Sequence, residues 1–324
     1  MNTGAPLPAP PWSARERAAL SGAYAAGRLA HALLIHEAPG AGGDWLAEWA
    51  ARLVLCESHG ERPCGLCRAC RRVSARQHPD LSWIAPQEDS RQLRIEQVRE
   101  LTQELALTSH GGGYKVGVLT PADALNRFAA NALLKTLEEP SARTLLILVA
   151  TSPSRLPPTV LSRCQRLSVR APTRAEALAW LESVRGGAHW AAALDTIGEA
   201  PFTLLGGDPG EIATVGAEAR HALDGLAGGD TDPAATAERW ARAEWPLRLR
   251  CFENWLTERI HKNARERALM TEMRGTPYSP GAGPDLNMAE LFGLLDEVRE
   301  LRAMLDVPLN RGVALEALFR RLAP

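Results

Sequence analysis

The sequence predicts an α/β domain built on a parallel sheet and followed by an all-helical remainder. Three observations carry this. Apolar runs of strand length, HALLI at 31–35, KVGVL at 115–119 and TLLILVA at 144–150, alternate with stretches of helical periodicity. The run at 144–150 is apolar on both faces, as in parallel strands covered by helices on either side. From residue 173 onward the strand pattern stops and only helical periodicity is left.

In chain order, Ser13 is placed to cap a first helix reaching about residue 28, with Ala19, Leu20, Ala23 and Tyr24 on one face. The strand HALLI and a glycine-rich turn lead into a helix over 43–55. A cysteine-rich insertion occupies 56–70, and a short apolar segment follows at 81–85. A helix is predicted over 95–107, with Ile95, Val98, Leu101 and Leu105 as its buried stripe. After a glycine break, the strand at 115–119 precedes a helix containing FAANALLKTLEE, which Pro140 stops. The strand at 144–150 and a last short one near 167–169 complete a doubly wound sheet. The expected organisation is an α/β domain over 1–171, a small helical piece over 172–209 and a larger helical domain over 210–324, broken by a proline- and glycine-rich loop at 275–284.

Composition limits the functional classes. With 324 residues, 45% of them hydrophobic, the chain can bury two or three cores. No stretch approaches 18 uncharged apolar residues, and the start MNTGAPLPAPPW has neither a basic segment nor an apolar one, which predicts a cytoplasmic protein without membrane contact. A formal net charge of −1 argues against the broad basic field of a stand-alone nucleic-acid binder.

The cysteines are the most informative motif. Cys56, Cys64, Cys67 and Cys70 form C-x7-C-x2-C-x2-C. Two successive C-x2-C steps let sulfurs converge on one ion, so a tetrahedral Zn2+ site is predicted, and four thiolates leave no open position, which makes it structural rather than catalytic. A disulfide pair, a redox C-x-x-C or unrelated buried thiols are the alternatives. His59 and His78 are available as substitute ligands, while Cys164 and Cys251 read as isolated core thiols.

The turn HEAPGAGGDW stands where a phosphate-binding loop would stand. Laid on G-x-x-x-x-G-K-[ST], the first glycine falls on Glu37, the second on Gly42, the lysine on Gly43 and the hydroxyl on Asp44. Glu37 and Asp44 would face a triphosphate with no lysine between them, and a like-charge pair at 4 Å costs roughly 4 kcal/mol at an effective dielectric near 20. Where an acidic pair would hold magnesium after the strand at 115–119, the chain has Thr120 and Pro121. The turn therefore reads either as a phosphate loop in backbone only or as a plain tight turn of an unrelated α/β domain.

The runs HPDLSWIAP, FAANALLKTLEEP, LVATSP and LPPTVLSRC, with the insertion CGLCRAC, resemble the bacterial clamp-loader subunits of DNA polymerase III, an AAA+ family. The degenerate loop singles out the δ′ kind over the ATP-binding γ/τ kind. The resemblance is good over residues 20–210 and only general beyond. It implies a subunit without catalysis of its own, in a hetero-pentamer with γ/τ and δ subunits that loads the β sliding clamp onto primed DNA. It implies zinc on Cys56, Cys64, Cys67 and Cys70. It also implies that Arg163, in Ser162-Arg163-Cys164, reaches a neighbouring subunit's ATP; a planar, permanently charged fork suits a transferring phosphoryl group. Thr151 matches the family's sensor position, and Pro201 stands where active members carry a lid arginine. An ATP-hydrolysing γ/τ-like subunit and a zinc-dependent DNA-binding module are the competing readings. Lys135 and Glu138 suit either a DNA- or partner-facing surface or a solvated, paired helix face.

Overall fold

The computed structural model describes residues 7–87, 90, 92–198, 200–274, 288–304 and 309–323. They group into two compact units, residues 1–186 with 199–202, and residues 187–198 with 203–324. The predicted loop at 275–284 lies outside the described residues.

The first unit begins with α1 (Ala14–Ala25). Ser13 stands at its N-cap position, but its backbone is not extended (φ −96°, ψ 4°) and the predicted side-chain cap is not made; the hydroxyl donates to the Pro10 carbonyl at 2.8 Å. The helix also stops short of residue 28, and of the predicted face only Leu20 is fully buried while Ala19 is exposed. Leu20 anchors this helix, and Tyr24 is half-buried with its hydroxyl accepting from Arg62 Nη1 at 2.7 Å.

Five strands follow, β1 (Ala32–Glu37), β2 (Leu81–Ile84), β3 (Lys115–Leu119), β4 (Thr144–Ala150) and β5 (Gln165–Val169). All four pairings are parallel and the spatial order is β2-β3-β4-β1-β5. The apolar segment at 81–85 is thus an edge strand. Every residue of β4 is buried, as its unbroken apolar run requires. Between the strands run α2 (Gly43–Leu55), α3 (Arg68–Ser74), α4 (Ile95–Ala106), α5 (Arg127–Glu138) and the short α6 (Pro158–Leu161).

The helices bury the predicted stripes. On α4, Val98, Leu101 and Leu105 are buried and Ile95 packs partly buried against the same core. They lie directly on β3 because Gly117 has no side chain; a Cβ there would fall 2.9 Å from Leu101 Cδ1 and 3.1 Å from Leu105 Cδ1. On α5, Asn126 Oδ1 accepts the Ala129 N–H at 2.9 Å as an N-cap, and Ala129, Ala130, Leu133 and Leu137 face inward. The unit continues into α7 (Arg174–Val184), opened by a reciprocal Thr173–Glu176 capping box. This is the α/β parallel-sheet architecture that the sequence predicts.

The second unit is helical throughout its described residues. It contains α8 (Trp190–Ile197), then, after the single turn α9 (Pro201–Leu204) that begins in the first unit, α10 (Pro209–Gly228), α11 (Pro233–Arg242), α12 (Trp245–Arg274), α13 (Met288–Ala303) and α14 (Arg311–Leu322). Its core centres on Trp240, whose ring meets Phe319 edge-on at 5.0 Å and Phe252 at 6.4 Å. Gly216 on α10 admits the Thr196 side chain of α8; a Cβ there would lie 1.9 Å from Thr196 Oγ1. Among the described residues no helix is long and apolar enough to cross a membrane.

Candidate functional site

β1 lies between β4 and β5, and the glycine turn leaves its C-terminal end, the place where open α/β sheets hold ligands. Gly40 and Gly42 take φ values of 71° and 99°, a left-handed backbone that glycine adopts without strain. The chain then enters α2 at Gly43, so the Gly42 and Gly43 N–H groups point together from a helix N-terminus, as in a phosphate loop.

The chain's own carboxylate meets them. Glu37 Oε2 accepts from Gly43 N at 2.6 Å and from Gly42 N at 3.0 Å. Strand alternation puts Glu37 on the same face of β1 as Ile35, and from there its side chain swings back under the loop. Burial pushes the Glu37 carboxyl above the usual glutamate range; the Gly43 and Gly42 N–H groups pull it down, while Asp44 and Asp123 push it up. A lysine does not fit at the next position without movement, since a Cβ on Gly43 would stand 2.8 Å from both Glu37 Cδ and Val149 Cγ1.

The magnesium positions are similarly self-satisfied. Thr120 Oγ1 donates to Asp44 Oδ1 at 2.6 Å, joining the residue at the usual hydroxyl position to one at the usual acidic position. Thr151, at the C-terminal end of β4, donates through Oγ1 to Asp123 Oδ2 at 3.0 Å, and the Ser152 N–H meets the same oxygen at 3.0 Å. Pro201 is followed by Phe202, whose ring covers Gly42; a Cβ on Gly42 would lie 2.3 Å from Phe202 Cε2.

Sequence reasoning placed Glu37 and Asp44 as charges that repel phosphate. It missed that Glu37 fills the N–H pair and that Phe202 closes over it. Strand parity at Glu37 was an available signal for the first. The second had none, because 159 residues separate Gly42 from Phe202 in the chain.

Arg163 follows α6. Its Nη2 is 2.7 Å from Glu138 Oε1 at the end of α5, and its Nη1 donates to the Thr159 carbonyl at 2.9 Å and to Ser162 Oγ at 3.3 Å. The side chain remains about one-third exposed. Glu138 therefore serves Arg163, while Lys135 on the same helix is exposed.

The four predicted cysteines come together. All the Sγ atoms of Cys56, Cys64, Cys67 and Cys70 lie within 4.8 Å of one another, with Cys56–Cys64 at 3.6 Å and Cys56–Cys67 at 3.9 Å. A tetrahedron with metal–sulfur bonds of about 2.3 Å has edges of about 3.8 Å, so the donor set fits zinc. Backbone N–H groups already support the sulfurs: Cys67 N donates to Cys64 at 3.3 Å and Cys70 N to Cys67 at 3.4 Å. The Cys67 N–H is the main cause holding the Cys64 thiol down at about 6, whereas burial pushes Cys70 up. Neither His59 nor His78 belongs to the cluster. Cys164 and Cys251 are buried, and burial pushes their thiols up to about 11 and about 12, as inert core residues.

Residues 13–173 match the family described as DNA polymerase III, delta subunit. The chain is 44% identical over 153 residues to DNA polymerase III subunit delta' of Pseudomonas aeruginosa, covering 47% of each chain. It is 41% identical over 172 residues to the same subunit of Escherichia coli, covering 53% of this chain and 52% of that one. Similarity extends to Escherichia coli DNA polymerase III subunit tau, 33% identical over 154 residues, 47% of this chain and 24% of that one. The matched region thus spans about half the length of these delta' relatives and is the sheet-bearing part of the chain.

Proposed function

We propose, from the family match of residues 13–173, that the chain is a δ′-type subunit of a DNA polymerase III clamp loader that does not bind ATP. The observation that carries this is the phosphate loop itself. Its backbone is intact, but Gly43 replaces the lysine, Asp44 is bonded to Thr120 and Glu37 holds the converging N–H groups. A nucleotide's phosphates would compete with a carboxylate already in place and would meet Asp44 and Asp123 beside it.

In this reading the chain is a stator in a hetero-pentamer with γ/τ and δ subunits, and acts on the β sliding clamp and primed DNA only through the complex. It has no catalysis of its own; the DNA-directed DNA polymerase activity belongs to the holoenzyme, and the setting is the cytoplasm. The working division is an AAA+ domain over 1–171, a lid over 172–209 and a collar over 210–324. Arg163 is the residue that reaches a neighbouring γ/τ subunit's ATP, and the oxygens of Glu138, Thr159 and Ser162 hold its fork at the surface until then. Cys56, Cys64, Cys67 and Cys70 hold a structural zinc, which ties the segment after α2 to α3. When bound, the ion supplies a cross-link between parts of the chain that have little apolar surface to bury.

The test is a calorimetric titration of the purified chain with Mg-ATP, together with the mass of the complex it forms with γ/τ and δ subunits. No nucleotide binding and a stable complex are expected. A micromolar dissociation constant for Mg-ATP would refute the reading.

A further inference from the structure

The converging donors of the loop at 38–43 and two of its carbonyls are engaged by other groups of the chain. Its converging donors, Gly42 N and Gly43 N, end on one oxygen of Glu37. Its acceptors are taken from two directions: Trp12 Nε1 donates to the Ala41 carbonyl at 2.8 Å, and Phe202 N donates to the Gly40 carbonyl at 3.1 Å. Phe202 sits on Gly42 so closely that the glycine's missing side chain is what makes room for the ring. Behind Phe202 the Trp180 ring lies at 4.6 Å, and Trp12 meets Trp180 edge-on at 5.5 Å. Trp180 in turn donates through Nε1 to the Pro8 carbonyl at 3.0 Å.

A plain tight turn needs none of this. A turn closed by glycines satisfies itself with backbone bonds, and placing a carboxylate under it carries a desolvation cost that a neutral side chain would avoid. A phosphate loop does need an anion, because two N–H groups converging at a helix N-terminus are poorly satisfied by each other or by a carbonyl. Glu37 supplies that anion through two charge-assisted bonds on one atom. In a nucleotide-binding chain, the ligand would be what draws surrounding segments onto the loop. Here residues 200–202 belong to the sheet-bearing unit, and Phe202 contacts the loop through its N–H on the Gly40 carbonyl and its ring on Gly42.

We propose that the loop 38–43 is an anion site whose resident anion is Glu37, and that Phe202, seated over Gly42, latches residues 200–202 to it in place of a nucleotide. The latch rests on the reading that the chain binds no ATP, and gives that reading a physical agent.

Hydrogen exchange of the full chain, followed by mass spectrometry on peptides covering 38–46 and 200–205, tests it. Both peptides are expected to exchange slowly in the wild type. Glu37→Ala frees the two N–H groups and is expected to speed the loop peptide at least tenfold. Phe202→Ala is expected to speed both peptides, including the loop, which keeps its own sequence in that variant. Glu37→Gln retains an acceptor oxygen and is expected to fall between wild type and Glu37→Ala. Peptides from β4 and α5 report whether the sheet stays folded; if Glu37→Ala unfolds it, Phe202→Ala and Glu37→Gln decide. Exchange in both segments that stays within twofold of wild type in the folded variants would overturn the latch. Binding of Mg-ATP by the wild type would instead overturn the reading beneath it, so the two failures are told apart.

Discussion

Gly43→Ala should destabilise the sheet-bearing unit, although helix propensity predicts the reverse. Gly43 is the first residue of α2 and has an ordinary negative φ, so by propensity alone alanine would gain about 0.4–1 kcal/mol. The packing opposes that. The new Cβ would stand 2.8 Å from Glu37 Cδ, 2.8 Å from Val149 Cγ1 and 3.1 Å from Glu37 Cβ, all closer than carbon atoms rest. Overpacking of this kind costs about 1–3 kcal/mol, which exceeds the propensity gain. The net loss of about 1–2 kcal/mol corresponds to a fall of roughly 2–8 °C in the melting temperature of a unit of this size.

Gly22→Ala is the matched control. Gly22 lies inside α1, and no atom comes within 4 Å of where an alanine methyl would stand, so there the propensity gain should emerge and the unit should melt slightly higher. Differential scanning calorimetry of the full-length variants compares the two signs. Because the clash begins at Cβ, Gly43→Lys should show the same loss, and calorimetry with Mg-ATP should find no binding to it. A Gly43→Ala chain that melts at or above the wild type would refute the argument that Glu37 and Val149 fill the lysine's place.

Metal analysis of freshly purified protein should find one zinc per chain, and Cys67→Ser or Cys70→Ser should abolish it; a folded, metal-free wild type would sink the site. Chelation should unfold the segment 56–74 before the sheet, seen as early exchange of that segment alone. Glu37→Gln tests the cost of the buried charge. A carboxyl raised on folding adds no cost below its unfolded value of about 4.3, and the cost grows as pH rises through that value toward the folded one. Urea titrations from pH 4 to pH 7 should therefore show Glu37→Gln gaining on the wild type, and a widening deficit would mean that the bonds to Gly42 and Gly43 outweigh burial. Arg163→Ala should leave assembly intact, since a half-exposed ion pair contributes little to stability, yet should lower DNA-stimulated ATPase and clamp loading of the reconstituted complex. An arginine of this kind is worth about 10³–10⁵ in rate at its own site, so total ATPase should fall partially while other sites continue. If Arg163→Ala and a control, Arg155→Ala, both match the wild type in an intact complex, Arg163 has no such role.

Local periodicity was enough to read the strands at 31–35, 115–119 and 144–150, the stripe on α4 and the helical second half, because each depends on residues within one or two turns of each other. The cysteine cluster was legible for the same reason: all four sulfurs come from fifteen consecutive residues, so chain geometry alone brings them near. The edge strand β2 was seen only as an apolar segment, since four residues of mixed burial carry little alternation. The Ser13 cap failed because Ser13 ends a 3-10 turn, Pro11–Ser13, with ψ at 4°, rather than holding the extended backbone from which a cap side chain reaches the helix N–H groups. At the phosphate loop, the residue types told which groups were missing, and the folded chain decided what stands in for them. Glu37 reaches Gly43 only because β1 ends with its side chain under the turn, and Phe202 reaches Gly42 only when the 159 intervening residues have folded back. Such contacts depend on the relative placement of distant elements, which hydrophobic burial sets for a whole unit at once and which no window of sequence contains.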